Sequence, residues 1–238
     1  MIKQTVNINS FDLSLIFWKK ILDNSFLRMK TSQGTFFEKI DSLDNLRSQS
    51  SYNTGSISST TAWLLFSLTL FFKPKTIVEV GSFIGKSTFS MAFAADNYLL
   101  EGDCNIFCCD YSNEIKFPEL SQTKIKQFHK TSSTEMIKQL EMNMIIDFLH
   151  LDGRLEKDDY ILLKDKIDED TIIILDDFEG SEKGVVNLFN LLNNNIISRN
   201  THCVIYPLEN YIGEKYNLVE RSTSAIILPV KLLKITNQ

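Results

Sequence analysis

No dense run of lysine or arginine occurs in this 238-residue chain, and its formal net charge is -5. Non-specific nucleic-acid binding needs clustered basic side chains to neutralise phosphates, so the sequence argues against a nucleic-acid partner. Also missing is an apolar run of the roughly 20 residues that cross a bilayer. The most apolar stretch, "AWLLFSLTLFF" at 62–72, is too short and reads as a buried helix. The amino-terminal "MIKQTVNINSFDLSLIFWKK" has only a short apolar run and no small-residue cleavage site, so it does not read as a signal peptide. The expectation is a cytoplasmic protein with no membrane partner. Cysteine is scarce: Cys104, Cys108, Cys109 and Cys203 make no CxxC pair. A zinc site would need better spacing and nearby histidines, so buried, reduced thiols are expected.

What is present is a large apolar fraction, 43% hydrophobic residues, sufficient for a sizeable core. Within residues 1–50, "FDLSLIFWKKILDNSFL" and "FFEKIDSLDNLRSQ" carry apolar residues at helical spacing. The polar "SSYNTGSISSTT" then offers N-cap chemistry for a helix over 60–72, which Pro74 closes. From residue 76 strand and helix patterns alternate. Strands are predicted at 76–81, 104–110, 125–130, 145–152 and 171–177, each followed by polar or helical sequence, with two late strands at 202–208 and 223–230. This alternation predicts an α/β fold, a Rossmann-like seven-stranded, mostly parallel sheet with helices on both faces. The last two strands have no clear helix between them, so the final strand is expected to run antiparallel. The expected domains are an N-terminal helical extension at 1–60 and the α/β domain at 61–238.

In such sheets ligands sit beyond the carboxyl ends of the strands, where strand order reverses. "VEVGSFIGKST" at 78–88 ends the first strand and looks at first like a phosphate loop. A phosphate loop has about four residues between its first Gly and its Gly-Lys, whereas only Ser82, Phe83 and Ile84 separate Gly81 from Gly85. Glu79 would also sit badly beside a triphosphate and would suit a cationic ligand. A P-loop nucleotide hydrolase is therefore a weak reading. Asp110 ends the second strand, where an acid can accept the hydroxyls of a ribose. His150 and Asp152 end the fourth strand, Asp176 and Asp177 the fifth. Converging carboxylates repel unless a cation lies among them, and a hard divalent ion such as Mg²⁺ fits that need. Helix capping by Asp176 or Asp177 is the plainer alternative.

The four segments "VEVGSFIGKST", "FCCDYSN", "IIDFLHLDG" and "IIILDDFEG", in this order and spacing, resemble class I S-adenosylmethionine-dependent methyltransferases. Within them the chain is most similar to the catechol O-methyltransferase-like group and to macrocin-type O-methyltransferases that act on sugars. The resemblance covers roughly residues 50–230. It implies that Glu79, Gly81, Ser82, Phe83, Gly85 and Ser87 border the amino-acid sulfonium of S-adenosylmethionine. Asp110 would hold the ribose, Tyr111 would lie near the adenine or ribose, and Ser132 or Ser133 near the adenine edge. Gly55 to Ser58 would approach the cofactor's carboxylate, and Asp152 would border the cofactor too. Lys86 is then expected to be an incidental, solvated helix residue. The resemblance further implies that Asp152, Asp176 and Asp177 carry a divalent ion that lowers the pKa of an acceptor hydroxyl.

The sequence departs from that pattern at the base. Catechol-type enzymes carry a lysine three residues after the position of Asp152, where this chain has Leu155; sugar-type relatives often carry an aspartate two residues after, where it has Arg154. Arginine is no base near neutral pH. His150, Glu156 or Asp158 are the candidate substitutes, unless the metal alone suffices, and Arg154 is open to two readings, a pair with an anionic acceptor or a surface ion pair with a nearby acid. The expected partner is a small hydroxylated acceptor, and a homo-oligomer stays open. The 207–222 segment and the N-terminal region are expected to border the acceptor pocket. A metal-independent methyltransferase of the same fold and a non-catalytic cofactor-binding protein are the alternatives.

Overall fold

The computed structural model describes residues 15–23, 33–51, 55–98, 104–116, 123–179, 181–206 and 223–235. Its centre is a seven-stranded sheet of β1 (Thr76–Val80), β2 (Asn105–Asp110), β3 (Lys124–His129), β4 (Phe148–Leu151), β5 (Ile172–Leu175), β6 (His202–Ile205) and β7 (Ala225–Pro229). The order is β3-β2-β1-β4-β5-β7-β6. β1 to β5 pair in parallel, and β7 lies antiparallel between β5 and β6. The expected architecture, with its reversed final strand, is therefore what the chain adopts.

Eight helices surround the sheet among the described residues: α1 (15–23), α2 (Gln33–Gln49), α3 (Ser59–Phe72), α4 (Lys86–Tyr98), α5 (Ser133–Lys138), α6 (Lys157–Leu163), α7 (Lys183–Asn193) and α8 (Val230–Ile235). Among those residues no helix is long and apolar enough to cross a membrane. Side-chain alternation along the strands makes two cores. Ile77, Ile106, Phe148 and Ile226 join the cluster under α1 to α4, while Val78, Leu149, Ile173 and Ile227 join Met136, Tyr160, Leu163 and Leu191 of α5 to α7. The first core is aromatic. Phe36 of α2 lies 5.2 Å from Phe66 of α3 and 5.7 Å from Phe93 of α4, and Trp63 stacks on Phe66 at 5.2 Å. α1 and α2 thus share a core with the sheet, and Trp18 Nε1 donates to the Tyr206 carbonyl at 2.8 Å.

Local chemistry sets the element ends. Ser58 caps α3, its Oγ accepting from Thr61 N at 3.0 Å, and Lys73 ends the helix in the left-handed region at φ 52° before Pro74. Ser132 and Glu135 form a capping box on α5. β4 starts at Phe148 rather than Ile145, and Asp147 just before it turns its carboxylate to the N–H groups of Lys75 and Thr76, at 2.7 and 2.8 Å. α8 was not anticipated: it follows β7 without a break, and no capping residue or turn announces it.

Candidate functional site

The strand order reverses between β1 and β4, and the site residues gather at that end of the sheet. Gly81 leaves β1 at φ 88°. A Cβ there would lie 2.8 Å from the Asp152 carbonyl carbon and from Gly153 N, so only glycine lets the ends of β1 and β4 approach this closely. The following loop is tied to β2. Gly81 N and Ser82 N donate to the Cys109 carbonyl at 3.0 and 3.2 Å, and Phe83 N donates to Asp110 Oδ2 at 2.8 Å. Asp110 Oδ1 takes Ser112 N at 2.7 Å. Each Asp110 oxygen keeps a further acceptor position, since a carboxylate has about four lone-pair sites. Gly85, at φ 89°, turns the chain into α4, whose first turn holds buried Ser87.

Glu79 is fully buried. It is next to His150 in the β1–β4 register; His150 Nδ1 lies 3.0 Å from Glu79 Oε1, and Thr88 Oγ1 donates to Oε2. The Glu79 carboxylate is therefore engaged inside the fold. Burial alone would lower the His150 pKa, but the hydrogen bond and charge of Glu79, with Asp152 and Asp176 beyond, raise it. His150 Nε2 is buried with no hydrogen-bond partner among the described residues.

Beyond β4 and β5 two of the three carboxylates, Asp152 and Asp177, meet at a lysine, while Asp176 turns to a serine. Lys183 Nζ lies 2.5 Å from Asp152 Oδ1, 2.6 Å from the Asp152 carbonyl and 2.9 Å from Asp177 Oδ2. Asp177 sits in the left-handed region at φ 49°. Asp176 Oδ1 accepts from Ser224 Oγ at 2.7 Å, and Ser224 contacts Thr61 Oγ1 at 3.3 Å, linking the β5 end to the start of α3. Burial, then the charge of Asp176, pushes Asp152 up to about 7 against the pull of Lys183 and His150. Lys183 moves up as well: burial opposes its charge, but Asp152 and Asp177 outweigh that. Burial, with the charge of Asp176, thus outweighs the Lys183 ammonium in setting the proton affinity of Asp152.

A Mg²⁺ ion would need oxygen ligands at about 2.0–2.1 Å in near-octahedral array. The Lys183 ammonium stands between two of the three expected ligands and Asp176 is bonded to Ser224, so the residues as arranged do not fit a divalent ion. Among the described residues, no group of three or more His, Cys, Asp or Glu has a metal-holding arrangement.

At the far side Tyr111, largely exposed, donates to Glu156 Oε1 at 2.7 Å, a bond that holds its phenol up at about 12. Ser132 spends its hydroxyl on the α5 cap. Ser133 Oγ and Thr134 Oγ1 each lie 2.5 Å from the buried Asp159 carboxylate, which also takes Glu156 N at 2.8 Å. The hydroxyl of Ser133 is thus committed within the fold. Arg154 is exposed and Leu155 buried. Lys86 corrects an expectation: it is not solvated but only 2% exposed, because it points to α2 and makes a bidentate pair with Asp44 at 2.8 Å to both oxygens. Residues 207–222, expected to border an acceptor pocket, lie outside the described residues.

Lys183 is not among the residues expected from the sequence, where the cation among the acids is a divalent ion. The signal was a lysine at the start of the helix that follows the Asp176-Asp177 pair. Gly184 beside it completes the arrangement, since a Cβ there would overlap the Asp176 carbonyl oxygen and hold α7 away from β5.

The sequence profile of a family described as a methyltransferase domain matches residues 78–178, which span the glycine loop, Asp110, His150, Asp152, Asp176 and Asp177. No curated protein matches the chain in sequence. Among solved structures it is similar to the O-methyltransferase TomG from Streptomyces achromogenes, involved in tomaymycin synthesis and seen with S-adenosylmethionine: TM-score 0.56, 11% identity, 81% of this chain and 89% of that one. It is also similar to an O-methyltransferase from Bacillus cereus in complex with S-adenosylhomocysteine: TM-score 0.54, 12% identity, 90% of this chain and 99% of that one. At these identities the likeness is one of fold.

Proposed function

We propose that this chain, whose residues 78–178 match the profile of a methyltransferase domain, transfers a methyl group from S-adenosylmethionine to a hydroxyl of a small molecule. The observation that carries the reading is the joining of two features at one end of the sheet. The Gly81–Gly85 loop is clamped by Asp110 on one side, and a carboxylate of raised proton affinity, Asp152, stands on the other.

The residues present fit the cofactor. Asp110 keeps open acceptor positions for two ribose hydroxyls, and its neighbour Tyr111 offers an exposed ring to the adenine. The first turn of α4, at Ser87, presents backbone N–H groups that no helical carbonyl can satisfy, which suits a carboxylate. Bound there, S-adenosylmethionine supplies an electrophilic methyl on a positive sulfur.

The chain's own work is alignment and proton removal. In-line transfer requires the acceptor oxygen to be held opposite the leaving sulfur, which is worth several kcal/mol through lost freedom alone. Asp152, with a pKa near neutrality, can take the hydroxyl proton, and general bases are most effective when their pKa lies near the working pH. Its position is fixed by Lys183 and by the backbone bond from Asp152 N to the Val80 carbonyl at 2.9 Å. His150 is fully buried and holds Glu79, so its role in this reading is to order the β1–β4 junction. The divalent ion expected from the sequence has no step here, because Lys183 stands among its expected ligands. The test is transfer of labelled methyl from S-adenosylmethionine to a panel of sugars and phenols. Product carrying the label on oxygen, lost in Asp152→Asn with cofactor binding kept, supports the reading; label on nitrogen or carbon would overturn it.

A further inference from the structure

We propose that Lys183 is the built-in cation of the acidic cluster, its ammonium occupying the position between Asp152 and Asp177 that a divalent ion would otherwise take. This deepens the methyltransferase reading, on which it rests for the meaning of the cluster. An ammonium has three N–H donors, and Lys183 has three acceptors: Asp152 Oδ1 at 2.5 Å, the Asp152 carbonyl at 2.6 Å and Asp177 Oδ2 at 2.9 Å. All three donors are accounted for, so the group is pinned in place. Its reach is set by the fold. Gly184 allows the first turn of α7 to lie against the Asp176 backbone, and Asn187, one turn on, is fully buried with its amide donating to the Gly153 carbonyl at 2.9 Å. The lysine therefore enters the cluster from a helix locked to the loop after β4.

Electrostatics favours the same conclusion. Carboxylates that converge need a positive charge among them, and a tethered ammonium supplies it at a dehydration cost that its contacts with Asp152 and Asp177 outweigh. A lysine in this place also orients the Asp152 carboxylate through two bonds to one residue. Lys183 is thus a positioning residue for Asp152. The ammonium and a dication exclude each other, so removing the one should admit the other.

The test is titration of Mn²⁺, followed by electron paramagnetic resonance and calorimetry, into the full-length wild type, Lys183→Met, Lys183→Arg and the double variant Lys183→Met/Asp152→Asn. The proposal expects no stoichiometric Mn²⁺ binding to the wild type or to Lys183→Arg. It expects binding at least about ten-fold tighter in Lys183→Met, as Asp152 and Asp177 left without their counter-cation attract a hard ion. That gain should vanish in the double variant. One tightly bound Mn²⁺ in the wild type, unchanged by Lys183→Met, would overturn the proposal, as would absence of binding to both proteins. Far-UV circular dichroism checks the folding of each variant. If Lys183→Met does not fold, the wild type and Lys183→Arg decide: stoichiometric Mn²⁺ binding by either overturns the proposal, and its absence in both supports it. S-adenosylhomocysteine affinity, measured alongside, tests the methyltransferase reading separately, because the metal titration reads only the cluster.

Discussion

Replacing Asp110 by alanine should damage both the fold and the cofactor site, and the two losses can be separated. The side chain accepts Phe83 N at 2.8 Å and Ser112 N at 2.7 Å, and so clamps the glycine loop to the end of β2. A hydrogen bond to a charged group contributes about 1.5–3 kcal/mol. Asp110 is only half-buried, so water can partly satisfy the freed N–H groups, and the expected loss of stability is about 2–4 kcal/mol for the pair rather than the full sum. In the ligand complex the same carboxylate is proposed to accept ribose hydroxyls. Losing those bonds should weaken S-adenosylhomocysteine binding by about 1.5–3 kcal/mol, or roughly 10- to 150-fold in Kd. Urea denaturation gives the first number. Calorimetry at low temperature, where the variant remains folded, gives the second. An unchanged Kd in a folded variant would refute the ribose assignment, and an unchanged unfolding midpoint would refute the clamp.

Gly81→Ala should cost at least about 2 kcal/mol, because φ 88° is unfavourable for an L-residue and the new Cβ meets backbone atoms of Asp152 and Gly153 that cannot yield; a loss well below that in chemical denaturation would contradict the packing. Asp159→Ala removes a fully buried acceptor of three hydrogen bonds and should destabilise by about 3–5 kcal/mol, read in the same assay. Lys86→Met breaks a pair whose lysine is buried and whose aspartate is 38% exposed, so a smaller cost of about 1–3 kcal/mol is expected, and little loss on adding salt to the wild type. Burial pushes the thiols of Cys104 and Cys109 up to about 12 and Cys108 higher still, so native protein at pH 8 should resist alkylation at these three while the urea-unfolded chain reacts at all four cysteines. Rapid native labelling of any of the three, mapped by mass spectrometry, would count against the core assignment.

The strands were legible because their apolar runs are short, bounded and separated by helical patterns; β1, β2 and β5 fall within a residue or two of their expected limits. The reversed β7 was legible for a topological reason, since a short connection without a helix does not support a parallel crossover. The strand-end acids were also readable, because the sheet places them on one edge whatever their partners. Their partners were not. Glu79 looked like a ligand residue, yet it meets His150 and Thr88 inside the fold. Lys86 looked like a surface residue, yet it meets Asp44, 42 positions away. Lys183 reaches Asp152 across 31 positions, and Ser224 reaches Asp176 across 48. Periodicity tells which face a residue takes, but a polar contact between distant elements depends on how helices dock on the sheet. α8 escaped for a different reason, having no capping residue and continuing directly from a strand.

Calorimetric titration of the wild-type chain with S-adenosylhomocysteine, and separately with ATP, tests the central claim most directly. If the Gly81–Gly85 loop and Asp110 hold S-adenosylmethionine as proposed, the chain should bind about one molecule of S-adenosylhomocysteine and give no saturable heat with ATP, because the loop lacks the phosphate-loop spacing. Saturable binding of ATP with none of S-adenosylhomocysteine would contradict the account.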